Sequence, residues 1–214
     1  MADAPGCRVY LITPERLEPS AFADELARAL DGGDVACVQL RLKNVDADAV
    51  RRACDALLPV AQSRDVAFIL NDDPTIAAEC DCDGVHIGEE DTPYPEARRI
   101  MGDDAIVGVT CGDSVDRAMA AGEAGADYVA FGAFFPSPTK PGRKNFPTSD
   151  LLVHWSGMAT VPCVAIGGIT ADNCGSLVAA GADFLAVVSA VWSHPDGPGG
   201  GVKALNEAIA RTLP

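Results

Sequence analysis

The chain has 214 residues, 48% of them hydrophobic and 22% charged, so it can bury a core and is not a disordered polypeptide. Sixteen Lys and Arg against 31 Asp and Glu give a formal charge of −15. That balance excludes the broad basic surface a nucleic-acid partner needs, and it requires any phosphate site to be a local concentration of cations.

Apolar, β-branched runs alternate with Ala-rich amphipathic stretches at intervals of roughly twenty to thirty residues, the pattern of βαβ units. Strands are predicted at 9–12, 37–40, 67–70, 84–87, 106–109, 128–132, 163–166 and 185–188. Helices are predicted between them at 21–30, 47–62, 75–79, 95–101, 115–124, 149–154 and 171–180, with another at 202–213. Ser20, Asp46, Ser114 and Thr170 stand where N-caps belong. Gly125-Ala126-Asp127 and Gly181-Ala182-Asp183 each precede a strand, where a C-cap glycine turns the chain back. Residues 134–148 and 194–201 read as loops, the first long enough for a lid. Eight units in so short a chain predict a compact (β/α)8 barrel, one domain over 1–214. The rival is a doubly wound open sheet, and no GxGxxG follows the first strand to support it.

The eight cysteines lie in or beside apolar runs or in helical stretches, and Cys80-Asp81-Cys82 lacks the spacing of zinc or redox pairs. They read as buried free thiols. No basic stretch followed by a long apolar segment opens the chain and no run approaches a membrane span, so no membrane partner is expected and the cytoplasm is the expected compartment.

Seven of the apolar runs end abruptly in residues suited to phosphate or metal. A parallel barrel explains this, because its βα loops all open onto one face. Arg41 and Lys43 leave the second strand two residues apart and project the same way, with Gln39 on that face. The guanidinium forks onto phosphate oxygens while the ammonium adds a point charge. Asn71 and Asp72 end the third strand and Asp91 follows the fourth; two rim carboxylates on neighbouring strands suit Mg²⁺ shared with a diphosphate, against the ordinary reading of helix caps. Thr110 ends the fifth strand, and Ser137, Thr139 and Lys140 follow the sixth. Gly167-Gly168 ahead of a helix permits close backbone approach to an anion, and Val188-Ser189 supplies the neighbouring half. His86, inside the fourth strand, reads as structural. Two phosphate sites, one with a carboxylate-bound cation and one built from backbone, suit an enzyme that joins two phosphorylated small molecules or uses one bisphosphate.

Taken in order, these motifs resemble the thiamine phosphate synthase family from about Val9 to Trp192. Gln39-Leu40-Arg41-Leu42-Lys43 is similar to its Gln-Leu-Arg-Glu-Lys, Asn71-Asp72 to its Asn-Asp, and residues 84–91 to its Gly-Val-His-x-Gly-Gln-x-Asp. The resemblance implies condensation of hydroxymethylpyrimidine diphosphate with a thiazole phosphate, giving thiamine phosphate and diphosphate. It implies Asp72 and Asp91 as Mg²⁺ ligands. It assigns Gln39, Arg41, Lys43, Asn71, Thr110 and Lys140 to the pyrimidine diphosphate, with Arg41, Lys43 and Lys140 catalytic, and Ser137, Thr139, Gly168, Val188 and Ser189 to the thiazole phosphate. Leu42, Asp73, Glu89, Thr110 and the segment 141–146 depart from the family pattern, and Asp73 and Glu89 add negative charge beside the expected metal. The related thiazole tautomerase and a non-catalytic barrel that binds phosphorylated precursors are the alternatives. A homo-oligomer is compatible with the sequence.

Overall fold

A computed structural model describes residues 6–137 and 146–212. Eight parallel strands close into a barrel in sequence order. They are β1 (Arg8–Ile12), β2 (Val35–Leu40), β3 (Ala67–Asn71), β4 (Gly84–Ile87), β5 (Ile106–Gly112), β6 (Tyr128–Gly132), β7 (Cys163–Ile166) and β8 (Phe184–Val187). The connecting helices are α1 (Pro19–Leu30), α2 (Ala47–Gln62), α3 (Pro74–Glu79), α4 (Tyr94–Met101), α5 (Val115–Ala124), α6 (Asp150–Met158), α7 (Gly175–Ala179) and α8 (Ser189–Trp192), with α9 (Gly197–Thr212) last. The expected (β/α)8 barrel is the fold, and the open sheet is excluded by the pairing of β8 with β1.

Strand alternation divides the core in two. Val9, Leu11, Val38, Leu40, Phe68, Leu70, Val85, Val129, Phe131, Leu185 and Val187 face outward and pack under the helices. Tyr10, Ile12, Cys37, Ile69, Tyr128, Ala130, Val164 and Ala186 fill the barrel interior. Gly108 makes room inside for Tyr128, since a Cβ there would strike the phenol ring.

At the N-terminal end of the strands, a carboxylate staples each odd strand to the next. Asp83 accepts from Phe68 N (2.7 Å), Asp127 from Val107 N (2.7 Å) and Asp183 from Cys163 N (2.8 Å). Arg8 of β1 reaches Asp34 with two nitrogens, at 2.7 and 2.6 Å. The aspartate of each Gly-Ala-Asp triplet is therefore a barrel-closing group, and Gly125, at φ +100°, is the left-handed cap of α5.

Several boundaries differ from expectation for identifiable reasons. β2 begins two residues early, where Arg8 and Asp34 hold the chain. Asp46 and Ser114 cap as expected, but Glu18 caps α1 in place of Ser20, accepting from Ser20 N and Ala21 N. Thr170 caps no helix, because Asn173 bonds its amide at 2.8 Å and α7 starts only at Gly175. α8 was unforeseen, being one turn formed where Val188 leaves the strand. The Gly-rich stretch read as a loop forms the first turn of α9, and Gly199 packs against the Arg28 carbonyl closely enough that only glycine fits. All eight cysteines are free, and burial pushes the thiols of Cys7, Cys111 and Cys163 up to about 12, so they pack as small apolar groups. Among the described residues no helix is long and apolar enough to cross a membrane.

Candidate active site

The C-terminal ends of β1 and β2 are laced together by short bonds that aim the cations. Thr13 N donates to the Gln39 carbonyl (3.0 Å), Arg41 N to Thr13 Oγ1 (3.0 Å), and Lys43 N to the Glu15 carbonyl (3.1 Å). Arg41 then places its guanidinium 2.5 Å from Glu15, and Lys43 its ammonium 2.5 Å from Asp72. Both cations thus hold a carboxylate belonging to this chain, and the Arg41 pair holds the Glu15 carboxyl below its ordinary range. Gln39 does not share their setting. It is buried inside the barrel, donating to the Tyr10 hydroxyl at 2.9 Å.

Asp72 follows β3 in the left-handed region, at φ +73°, with its amide bonded to the His86 carbonyl at 2.8 Å. Aspartate tolerates that conformation better than bulkier residues do. Asp91 turns back over the end of β4, where its Oδ2 accepts from Gly88 N at 2.7 Å. Asp72 lies near enough to act directly on the Asp91 carboxyl. Partial burial first, and Asp72 beside it, push the Asp91 carboxyl above its ordinary value, while the Gly88 amide and Lys43 oppose the shift. Neither residue caps a helix; Asp73 does that for α3, accepting from Thr75 N and Ile76 N.

Asn71 carries the one buried side-chain nitrogen without a partner among the described residues, Nδ2. A buried donor left unsatisfied is costly, so a ligand oxygen at that point is the economical explanation. Two carboxylates and one ammonium meet at the ends of β2, β3 and β4, next to Asn71 in the chain. That set fits a hard divalent cation completed by substrate oxygens, since Mg²⁺ commonly takes one or two carboxylates plus phosphate. Among the described residues no group of three acidic, His or Cys side chains could hold a metal without such help.

His86 points into the barrel, as does Thr110, and the two meet at 2.7 Å. On the opposite side, the loop after β6 is strapped to β7 by Phe134 N to Ile166 O and Phe135 N to Gly167 O, both 3.0 Å. Gly168 sits at φ +64°, and a Cβ there would strike the carbonyls of Phe135 and Pro136. Glycine is therefore required by this loop packing and by the backbone, whatever an anion would add. Asn173 clips the turn, bonding Gly168 O (2.9 Å) and Thr170 N (2.8 Å). Val188 lies beyond β8 as the residue before α8, and Ser189 begins that turn. Trp192 anchors it by donating to the Ile12 carbonyl at 2.7 Å. Ser137 is placed at the end of the β6 loop, whereas Thr139 and Lys140 lie outside the described residues.

The sequence reading missed four participants. Glu15 carries no motif of its own, and only the register of β1 against β2 puts it beside Arg41. Arg117 on α5 ion-pairs with Glu89. Tyr10 and Tyr128 were legible as inward-facing by alternation, but their hydroxyls had no assigned work.

Comparison with known proteins places the chain in a family. Residues 9–191 match the family model described as thiamine monophosphate synthase. The thiamine-phosphate synthase of Rhodospirillum centenum is 60% identical over 203 residues, covering 95% of this chain and 98% of that protein. That of Hyphomonas neptunium is 48% identical, covering 94% and 93%. Among solved structures, thiamine phosphate pyrophosphorylase from Pyrococcus furiosus superposes with a TM-score of 0.84 at 29% identity, covering 97% of each chain. The chain belongs to the thiamine monophosphate synthase family.

Proposed function

We infer that this chain condenses 4-amino-2-methyl-5-(diphosphooxymethyl)pyrimidine with 4-methyl-5-(2-phosphooxyethyl)thiazole, giving thiamine phosphate and diphosphate, as a Mg²⁺-dependent transferase of thiamine biosynthesis in the cytoplasm. Family membership supports the reaction. The observation that carries the site assignment is the convergence of Lys43, Asp72, Asp91 and the unpartnered Asn71 amide at the ends of β2, β3 and β4.

On this reading, Arg41 and Lys43 exchange Glu15 and Asp72 for diphosphate oxygens, and Asn71 donates to the same group. Asp72 and Asp91 would hold Mg²⁺, which supplies positive charge against the departing diphosphate. Lys140, from the segment after β6, adds a second ammonium there. Pre-placed cations stabilise charge that grows as the carbon–oxygen bond breaks, while the aminopyrimidine spreads the positive charge left on its methylene. Gly168, Val188 and Ser189 offer backbone, and Ser137 and Thr139 hydroxyls, to the thiazole phosphate. The barrel acts as a single catalytic domain spanning 1–214. Diphosphate release on mixing both substrates with Mg²⁺ tests the reading; no release from either substrate alone is expected. Absence of release from the mixture refutes it.

A further inference from the structure

Inside the barrel, five polar side chains from five strands form one unbroken hydrogen-bonded line. Gln39 Nε2 lies 2.9 Å from the Tyr10 hydroxyl, which lies 2.7 Å from that of Tyr128. Tyr128 lies 2.9 Å from His86 Nδ1, and His86 Nε2 lies 2.7 Å from Thr110 Oγ1. The His86 and Tyr128 rings also stack, 14° from parallel with centroids 5.6 Å apart. Burial pushes both phenols well above their ordinary pKa, so each keeps its proton.

The line has one consistent polarity. The Gln39 amide nitrogen can only donate, so Tyr10 accepts from it and gives its proton to Tyr128. Tyr128 then gives its proton to His86 Nδ1. A neutral imidazole that accepts at Nδ1 carries its hydrogen on Nε2, and donates it to Thr110 Oγ1. The reverse polarity would aim Gln39 and Tyr128 protons at one oxygen and leave the buried Tyr10 proton without an acceptor, the costly outcome for a buried donor.

We propose that Tyr10, Tyr128 and His86 are positioning residues: the line locks His86 in the Nε2–H form and so turns the Thr110 hydroxyl outward as a donor to the substrate. The line itself depends on geometry alone; that the acceptor belongs to the pyrimidine diphosphate rests on the proposed function.

The test is nitrogen-resolved NMR on substrate-free protein labelled with ¹⁵N-histidine, at neutral pH. His154→Gln and His194→Gln remove the other two histidine signals. A bare Nδ1 with a protonated Nε2 at His86 is expected, and a mixture of forms in Tyr128→Phe, which deletes the one hydroxyl that fixes the choice. Kinetically, Tyr128→Phe and Tyr10→Phe should raise KM for the pyrimidine diphosphate about three- to tenfold, the size of one net hydrogen bond, and leave that for the thiazole phosphate unchanged. An Nδ1–H form or an imidazolium in the wild type overturns the inference, as does an unchanged tautomer in Tyr128→Phe. Because the spectra need no substrate, failure of diphosphate release counts against the proposed function while the spectra alone decide the line.

Discussion

Replacing Lys43 with Met separates a structural ion pair from a substrate grip. The Lys43 ammonium is 2.5 Å from Asp72, but the two side chains are 35% and 38% exposed, so solvent screens them. Such a pair contributes at most about 1 kcal/mol to folding. For a chain of this size that corresponds to a fall in Tm of about 2 to 4 °C. Met keeps the aliphatic stem, so little packing is lost. Turnover should fall far more, by about 10²- to 10³-fold, if the ammonium is one of the groups pre-placed for the departing diphosphate. Lys43 also opposes the upward shift at Asp91, so its loss should weaken metal binding in acid as well. Differential scanning fluorimetry and a diphosphate-release assay on the same preparation decide the matter. A Tm drop above about 10 °C with proportionate inactivation would make Lys43 structural. Unchanged turnover would remove it from the chemistry.

Asp91→Asn keeps an oxygen for the Gly88 amide and removes a carboxylate whose pKa the fold raises. A raised carboxyl pKa loses stability as pH climbs from the unfolded value through the folded one. The variant should therefore match or exceed wild-type Tm at neutral pH without metal, and should lose the Tm gain that Mg²⁺ gives the wild type. Glu15→Gln frees Arg41 from its carboxylate and should lower KM for the pyrimidine diphosphate a few-fold with kcat little changed, read from initial rates. Gly168→Ala, which collides with the Phe135 and Pro136 carbonyls, should lower Tm and impair use of both substrates. An effect confined to the thiazole phosphate would contradict that packing argument. Asp183→Ala strips the acceptor from Cys163 N at the far end of the barrel. It should lower stability by about 1 to 3 kcal/mol, measured by urea unfolding, with both KM values unchanged.

The barrel was legible because strand alternation and the βα spacing are local signals, and every predicted strand overlaps an observed one. Local signals also placed Asn71, Asp72, Arg41 and Lys43 at strand ends. What they could not supply is partnership across the barrel. Gln39 reads as a neighbour of Arg41 by period-two alternation, yet closure carries it inside to Tyr10 of β1. The contact between Tyr10 and Tyr128 spans 118 positions and exists only because β1 and β6 face each other across a shared interior. The early start of α9 was hidden for the opposite reason: Gly199 there packs tightly against α1, while the sequence advertises only flexibility.

The two acidic departures from the family pattern show how sequence misjudges charge. Asp73 and Glu89 stand next to proposed metal ligands in a chain of net charge −15, and by position they should repel a diphosphate. In the fold, Asp73 turns to the α3 terminus, where its Oδ1 accepts from both Thr75 N and Ile76 N and the helix end favours a negative charge. Glu89 is taken up by Arg117 from α5. Asp72 and Asp91 remain facing the site, and Lys43 already offsets part of their charge. The local balance near the diphosphate is thus set by Arg41 with Glu15 and by Lys43 with these two aspartates, rather than by the global excess. Neutralising exposed aspartates elsewhere should accordingly leave KM for the diphosphate substrate nearly unchanged at physiological salt, where charges beyond about 8 Å are screened.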